Sequence, residues 1–337
     1  MYASVSGYRC SVSESAETIG EIGEGATLAR IFPLLPASAR TVIGPGDDCA
    51  VVTVPDGRVP LTTDLMIEGP DFIIGLSTGF DIGWKACATN LADIAAMGAT
   101  PTALVVGLAA PASTTVSFVE DIARGFRDAA AALAPGCGVV GGDLSHGPVV
   151  MVAVTATGEF DGVEPVTRSG AAIGNLVAVA GELGAAKRGL DLLLAGAFGA
   201  DGTPDRDAVD ALWESNPHDV AAQLRPSPPI GLGVVAARAG ATAMMDISDG
   251  LVLDARRIAT ASGVAIDFDL AAVGSLDALT GGEDHSLLAC FPPLATIPKG
   301  FRVIGRVAPG DGVRVDGVPF DARGGWDPFS DYSAESQ

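Results

Sequence analysis

The chain has 337 residues, 48% of them hydrophobic, enough to bury a substantial core and, by length, to form two domains of ordinary size. Its 41 acidic against 20 basic side chains give a net charge of -21, which repels nucleic acid and anionic membrane and excludes broad phosphate-backbone binding. An anionic ligand would need metal ions to hold it.

Five cysteines (Cys10, Cys49, Cys87, Cys137, Cys290) lie far apart without a CxxC pair, which fits neither zinc nor a disulfide framework, so they are expected reduced and internal. No apolar run approaches the roughly 18 residues of a membrane span, and the start lacks the apolar core of a signal peptide. A cytoplasmic protein is expected, with no nucleic-acid and no membrane partner.

Residues 1–16, "MYASVSGYRCSVSESA", are small and polar without periodicity and read as a flexible tail, so the fold begins near Thr18. The stretch "TVIGPGDDCAVV" then sets Asp47 and Asp48 against apolar residues. Unpaired carboxylates are costly to bury, so the pair is either exposed or held by a cation. On a strand the two would face opposite ways, and only one could serve a given site.

The strand "VPLTTDLMI" carries Asp64 behind two hydroxyls, Thr62 and Thr63. A helix follows in "DIGWKACATNLADIAAMGATP": Trp84, Ala88, Leu91 and Ala95 form an apolar face, Lys85, Thr89 and Asp93 recur every four residues on another, and Gly98 is the stop. After the strand "TALVVGL" and the helix "SFVEDIARGFRDAAAAL", "GVVGGD" delivers Asp143 behind two glycines, and "VVMVAVTATGE" reads as one more strand. Turn residues in "EFDGVEPVTRSGA" mark a connection near residue 160. The expected division is therefore 17–160, 161–330 and a short tail, 331–337.

In the second half "NLVAVAGEL", "ATAMMDI", "VAIDFDL", "HSLLACF" and "FRVIGRV" read as strands, and "LRPSPPIGLG" as a proline-guarded helix start. The strand "AMMDI" delivers Asp246; Ser248 is placed to cap the helix "DGLVLDARRIATAS", with Asp249 in its first turn. "TGGEDHSLL" sets Glu283 and Asp284 after a glycine pair and before a strand. Strands alternating with Ala-rich helices give an α/β or α+β class.

Asp and Gly are ordinary turn residues, and that suffices for any one of these acidic positions. Their repetition, with no matching His or Cys cluster, points to a hard cation such as magnesium. Other motifs fail their context. "GLSTG" at 75–79 matches a nucleophile elbow but has no recognisable oxyanion loop, and the chain holds three histidines, His146, His218 and His285. "GLGVVA" at 231–236 follows "RPSPPI" and not a strand, and a GxxxxGK[ST] phosphate cradle is absent. Lys187 and Arg188 read as solvated charges, and His146 as a loop residue.

Taken in order, "GPGDDCA", "TTD", "WKACATNLADIAAMGATP", "GGDLSHGP", "TRSGA", "LRPSPP", "DISDGL" and "GGEDH" resemble the thiamine-monophosphate kinase family from about Thr18 to Phe329. That family belongs to the superfamily of ATP-using enzymes that also contains aminoimidazole ribonucleotide synthetase and selenophosphate synthetase. The resemblance implies a two-domain aminoimidazole ribonucleotide synthetase-like fold: an N-terminal α/β domain that dimerises, a C-terminal α/β domain, and ATP with several magnesium ions between them. By matching motifs, Asp48, Thr62, Thr63, Asp64, Asp93, Asp143, Asp246 and Asp249 fall on metal-ligand positions. Asp143, Arg168 and Ser248 fall on nucleotide-contacting positions. Glu283 and Trp326 fall where the family holds the thiamine moiety, and Asp71 stands where relatives usually have a substrate-contacting histidine.

The chemistry implied agrees with the inventory. A phosphomonoester acceptor has a second pKa of about 6, so at neutral pH it is already a charged nucleophile and needs no general base. The site has only to align it in line and neutralise charge, and a cationic thiazolium ring suits an acidic residue beside an aromatic face. Asp71, a shortened segment between "IDFDL" and "GGED", and Ser286 in place of an acidic residue all lie towards the acceptor. Acceptor identity therefore stays open between thiamine monophosphate, another small molecule, and the substrate of an ATP-dependent ligase or cyclase of the same superfamily.

Overall fold

The Thr18 hydroxyl accepts the Glu21 N–H while the Glu21 carboxylate accepts the Thr18 N–H, a reciprocal cap that starts α1 (Ile19–Ile31). The structure, a computed structural model, describes residues 17–43 and 51–326. A 3₁₀ turn, Phe32–Leu34, leads to the short antiparallel pair β1 (Thr41–Ile43) and β2 (Val51–Val52). Then come β3 (Leu61–Ile67), α2 (Gly79–Ala96), β4 (Thr100–Ala110), α3 (Val116–Leu133), β5 (Gly138–His146) and β6 (Met151–Glu159). They form a four-stranded sheet in the order β3-β6-β4-β5, antiparallel except between β4 and β5.

Residues 160–175 contain no helix or strand and carry the chain to a second sheet. That half holds β7 (Leu176–Ala180), α4 (Ala185–Gly196), α5 (Arg206–Ser215), α6 (Pro217–Leu224), α7 (Gly231–Arg238), β8 (Ala243–Ile247), α8 (Leu251–Ser262) and β9 (Ala265–Phe268). It closes with α9 (Leu270–Val273), α10 (Leu276–Thr280), β10 (Ser286–Phe291), β11 (Phe301–Ala308), β12 (Val313–Val315) and β13 (Val318–Pro319). The sheet order is β13-β12-β9-β11-β7-β10-β8. The mixed class read from the sequence is what the structure shows, while the three helices within 185–224 were not anticipated.

The element that joins the halves is α2. On one side it meets α3 with backbones in contact: a Cβ on Gly83 would stand 2.0 Å from the Ile122 carbonyl oxygen, and one on Gly125 2.2 Å from that of Phe80. One apolar core runs from Leu91 and Ile94 of α2 and Val154 of β6 across to Met244, Leu287 and Phe291 of the second sheet. A second lies between that sheet and α8, around Ile247, Ile258, Ile266 and Leu288. The packing leaves the polar face of α2 turned towards the loops at one end of the second sheet. Among the described residues no helix is long and apolar enough to cross a membrane.

Candidate active site

The polar stripe of α2 meets two loops, residue by residue. Lys85 Nζ donates to Glu283 Oε2 at 2.6 Å, Thr89 Oγ1 pairs with His285 Nε2 at 3.2 Å, and Asp93 Oδ2 accepts from Thr62 Oγ1 at 2.7 Å. Pairing of β8 with β10 sets Leu287 opposite Asp246 and brings His285 Nδ1 within 3.1 Å of Asp246 Oδ2. The "DISDG" and "GGEDH" loops touch backbone to backbone: the Glu283 N–H donates to Ser248 O at 2.7 Å, and a Cβ on Gly282 would stand 2.5 Å from that same oxygen. Glu283 and His285 both take positive φ, 67° and 50°. Such strain in non-glycine residues persists where surrounding contacts over-determine the loop.

Burial pushes Asp64 above the usual carboxylate range, with Asp246, Asp71 and Asp249 adding repulsion and His285 opposing it. Asp93 is pushed up to about 6, first by burial, then by the charge of Asp246. His285 is raised: burial disfavours its charge, but the bond to Asp246 and that group's charge outweigh it. Carboxylates that repel one another while half-buried are what an added cation would relieve, so the donor set fits a hard divalent ion. Among the described residues, no three acidic, His or Cys side chains converge closely enough to chelate an ion as they stand.

The other expected residues divide by position. Strand alternation puts Thr62 and Asp64 on the face towards α2 and Thr63 on the opposite, exposed face, where its hydroxyl donates to Val154 O and accepts from Thr155. Asp143 is exposed and accepts from Ser145 Oγ at 2.7 Å, while its neighbour Leu144 is buried in the core. An apolar slot bounded by Phe32, Phe126, Gly142 and Leu144 reaches Asp143. Asp249 is paired with Arg257 at 2.5 Å, and its carbonyl accepts the Trp326 N–H at 2.9 Å. Arg168 is exposed, its carbonyl accepting from Ser262 at the far end of α8 from Asp249. Asp71 folds back onto the Ile67 N–H at 2.7 Å. Asp48 lies outside the described residues.

Ser248 does not cap α8, and Asp249 is not in its first turn, contrary to the sequence reading. The helix begins at Leu251 after Gly250 (φ 136°), and Asp254 accepts the N–H groups of Asp249 and Gly250. Burial is the main cause that raises the Asp254 pKa to about 7. Asp284 is likewise a structural acid, accepting the Gly184 and Ala186 N–H groups at the start of α4. The sequence reading missed Gln223, which donates to Glu283 at 2.6 Å, and the linking role of His285. Only the polar spacing on α2 hinted that something faced it.

Two sheets with acidic loops between them and a shared helix define a class: residues 46–160 match the family described as AIR synthase related protein, N-terminal domain. Over most of its length the chain is 40% identical to the thiamine-monophosphate kinase of Mycobacterium tuberculosis, across 343 residues covering 95% of this chain and 96% of that one. It is 38% identical to that of Corynebacterium glutamicum, covering 86% and 87%. Among solved structures, AaThiL complexed with AMPPCP and TMP aligns with a TM-score of 0.70 at 32% identity, covering 83% of this chain and 90% of that one. The chain belongs to the thiamine-monophosphate kinase family.

Proposed function

We propose that the protein transfers a phosphoryl group from ATP to thiamine monophosphate, giving ADP and thiamine diphosphate. One observation carries this reading: a single helix face, that of α2, lines up a carboxylate station (Asp64, Asp93, Asp246) with an acceptor station built on Glu283. The relative named AaThiL was solved with AMPPCP and TMP together, which supports two such stations. Residues 17–160 supply the carboxylates of β3 and α2, and residues 161–330 supply Asp246, Glu283 and Trp326.

Magnesium ions, when bound, would neutralise the polyphosphate and orient it. Asp64, Asp93 and Asp246 with Thr62 would hold them; family motifs add Asp48, Asp143 and Asp249, and also Thr63, whose side chain lies on the opposite face of the sheet from this cluster. Asp143, Arg168 and Ser248 are the nucleotide contacts that family motifs suggest. Glu283 and the Trp326 ring would hold the cationic ring of the acceptor, whose ionised phosphate attacks directly. No cysteine among the described residues competes as nucleophile: Cys87, Cys137 and Cys290 are buried, and burial pushes the latter two thiols up to about 12.

A second copy of the chain is the partner in this reading, and the compartment is the cytoplasm. The sheet face opposite α2 exposes Leu61 at 68%, Leu65 at 51% and Val105 at 42%, apolar surface that a twofold mate would cover. Incubation with ATP, magnesium and thiamine monophosphate, read by mass spectrometry, tests the activity. Thiamine diphosphate with ADP is expected. Free phosphate with a dehydrated ring from a cyclase substrate, or phosphorylation of a different acceptor only, would replace this reading.

A further inference from the structure

The Glu283 side chain is aimed by a loop with little freedom. Its N–H is tied to Ser248 O at 2.7 Å, the His285 N–H to Ile247 O at 3.0 Å, and Asp284 between them is buried on the start of α4. One carboxylate oxygen, Oε2, then accepts from both Lys85 Nζ and Gln223 Nε2, each at 2.6 Å. The side chain of Lys85 is 7% exposed and that of Glu283 37%, so the ammonium is enclosed while the carboxylate still reaches solvent. Among the described residues no hydrogen bond to Oε1 is formed, which leaves that oxygen to a ligand.

Both donors come from rigid supports. Arg225, two residues after Gln223, bonds Asp81 at 2.6 Å and lies over the rings of Phe80 and Trp213 at 4.6 and 4.7 Å. Trp84 Nε1 donates to Pro226 O at 2.8 Å. The end of α6 is thereby clamped to the start of α2, one turn from Lys85. An enclosed amine is costly to leave without a hydrogen-bonding partner of opposite charge, and Glu283 is that partner.

We infer that Lys85, supported by Gln223, is the specificity-determining residue of the acceptor station: it fixes one oxygen of Glu283 and balances its charge, so that the other oxygen reads the acceptor. Lys85 is a positioning residue, acting through Glu283 and not on the nucleotide or the transferred phosphoryl group. The pair is neutral as a unit and offers a bare acceptor atom. It selects molecules presenting an N–H donor or a cationic ring at Oε1 and disfavours those presenting an anion there. This inference rests on the activity proposed above.

The test is a double-mutant cycle of Lys85→Met and Glu283→Gln, with Gln223→Leu as a milder variant. It is read by steady-state kinetics and by calorimetric binding of thiamine monophosphate without nucleotide. Lys85→Met is expected to raise the KM for thiamine monophosphate, and weaken its binding, about tenfold or more, as loss of a charge-assisted contact entails. The KM for ATP should stay unchanged, and kcat should stay within about threefold. In the Glu283→Gln background the same change should add less than about twofold, because the effect travels through Glu283. Gln223→Leu should move the same constants in the same direction by less, which keeps the test alive should Lys85→Met not fold. Additive effects, a raised KM for ATP, or a fall in kcat alone would overturn the inference. If the wild type binds thiamine monophosphate without phosphorylating it, the proposed activity fails while the binding cycle still decides the role of Lys85. If the wild type does not bind it at all, both fail.

Discussion

Asp71, which the family resemblance sets in the place of a substrate-contacting histidine, closes a turn with its carboxylate by accepting the Ile67 N–H at 2.7 Å. Burial raises its pKa, the Ile67 bond opposes that, and Glu283 and Lys85 then act in opposite senses. Because one oxygen is committed to the backbone, Asp71→His is expected to cost about 1 kcal/mol of stability, the worth of one hydrogen bond, and to leave the KM for thiamine monophosphate nearly unchanged. A marked drop in that KM would instead mark Asp71 as a change of acceptor preference. A second expectation follows from Asp93 at about 6 and Asp254 at about 7, both above the usual aspartate value of 3.8. The folded state holds protons there that the unfolded chain has released, so without divalent ions stability should fall as pH rises from about 4 to about 7. Melting temperatures across that range, with and without magnesium, check it: flat curves without magnesium would contradict the burial of these acids. At this scale the acidic positions drew notice through their repetition along the chain with no matching His or Cys cluster, since any one of them alone reads as an ordinary turn or surface acid. Asp254 was not, since an acid in an amphipathic helix looks ordinary, and neither was the preference for Asp254 over Ser248 as the cap, which depends on a Gly250 backbone angle that residue identity does not set.

The stripe Lys85, Thr89, Asp93 on α2 could be read from four-residue spacing alone, because helical geometry stacks those positions. What it faces could not: Glu283 and His285 arrive nearly two hundred residues later through the pairing of β8 with β10, and sequence spacing carries no information about that register. The helices of 185–224 escaped notice although "LDLLLAG" and "AVDALW" carry helical apolar spacing, and the residue that matters there, Gln223, is a polar side chain buried at the α2 contact. Gly83 and Gly125 show how α2 is held in place, since the crossing with α3 leaves no room for a methyl group at either. Gly83→Ala is expected to destabilise the protein by about 2 kcal/mol or more through overpacking against the Ile122 backbone. A denaturation midpoint equal to that of wild type would mean that the helices separate without cost.

At the scale of the whole molecule, α2 makes the site a property of both halves: Asp64 and Asp93 belong to one, Asp246 and Glu283 to the other, and one apolar core continues between them. The turn-rich stretch after Glu159 coincides with the element-free passage between the two sheets, whereas the shared core was not legible, because Met244, Leu287 and Phe291 read as the interior of their own sheet. A net charge of -21 opposes two phosphate-bearing substrates, which is why the proposed reading makes cations a condition of binding and sets Asp64 among the carboxylates that would hold them. The most direct measurement is therefore magnesium-dependent product formation by wild type and Asp64→Asn side by side, with thermal melting of both. The result expected is thiamine diphosphate and ADP in equal amounts from the wild type, and an unchanged fold with turnover lower by about a hundredfold or more in the variant. Equal turnover by the two proteins, or thiamine diphosphate formed without a divalent cation, would contradict the role given to this site.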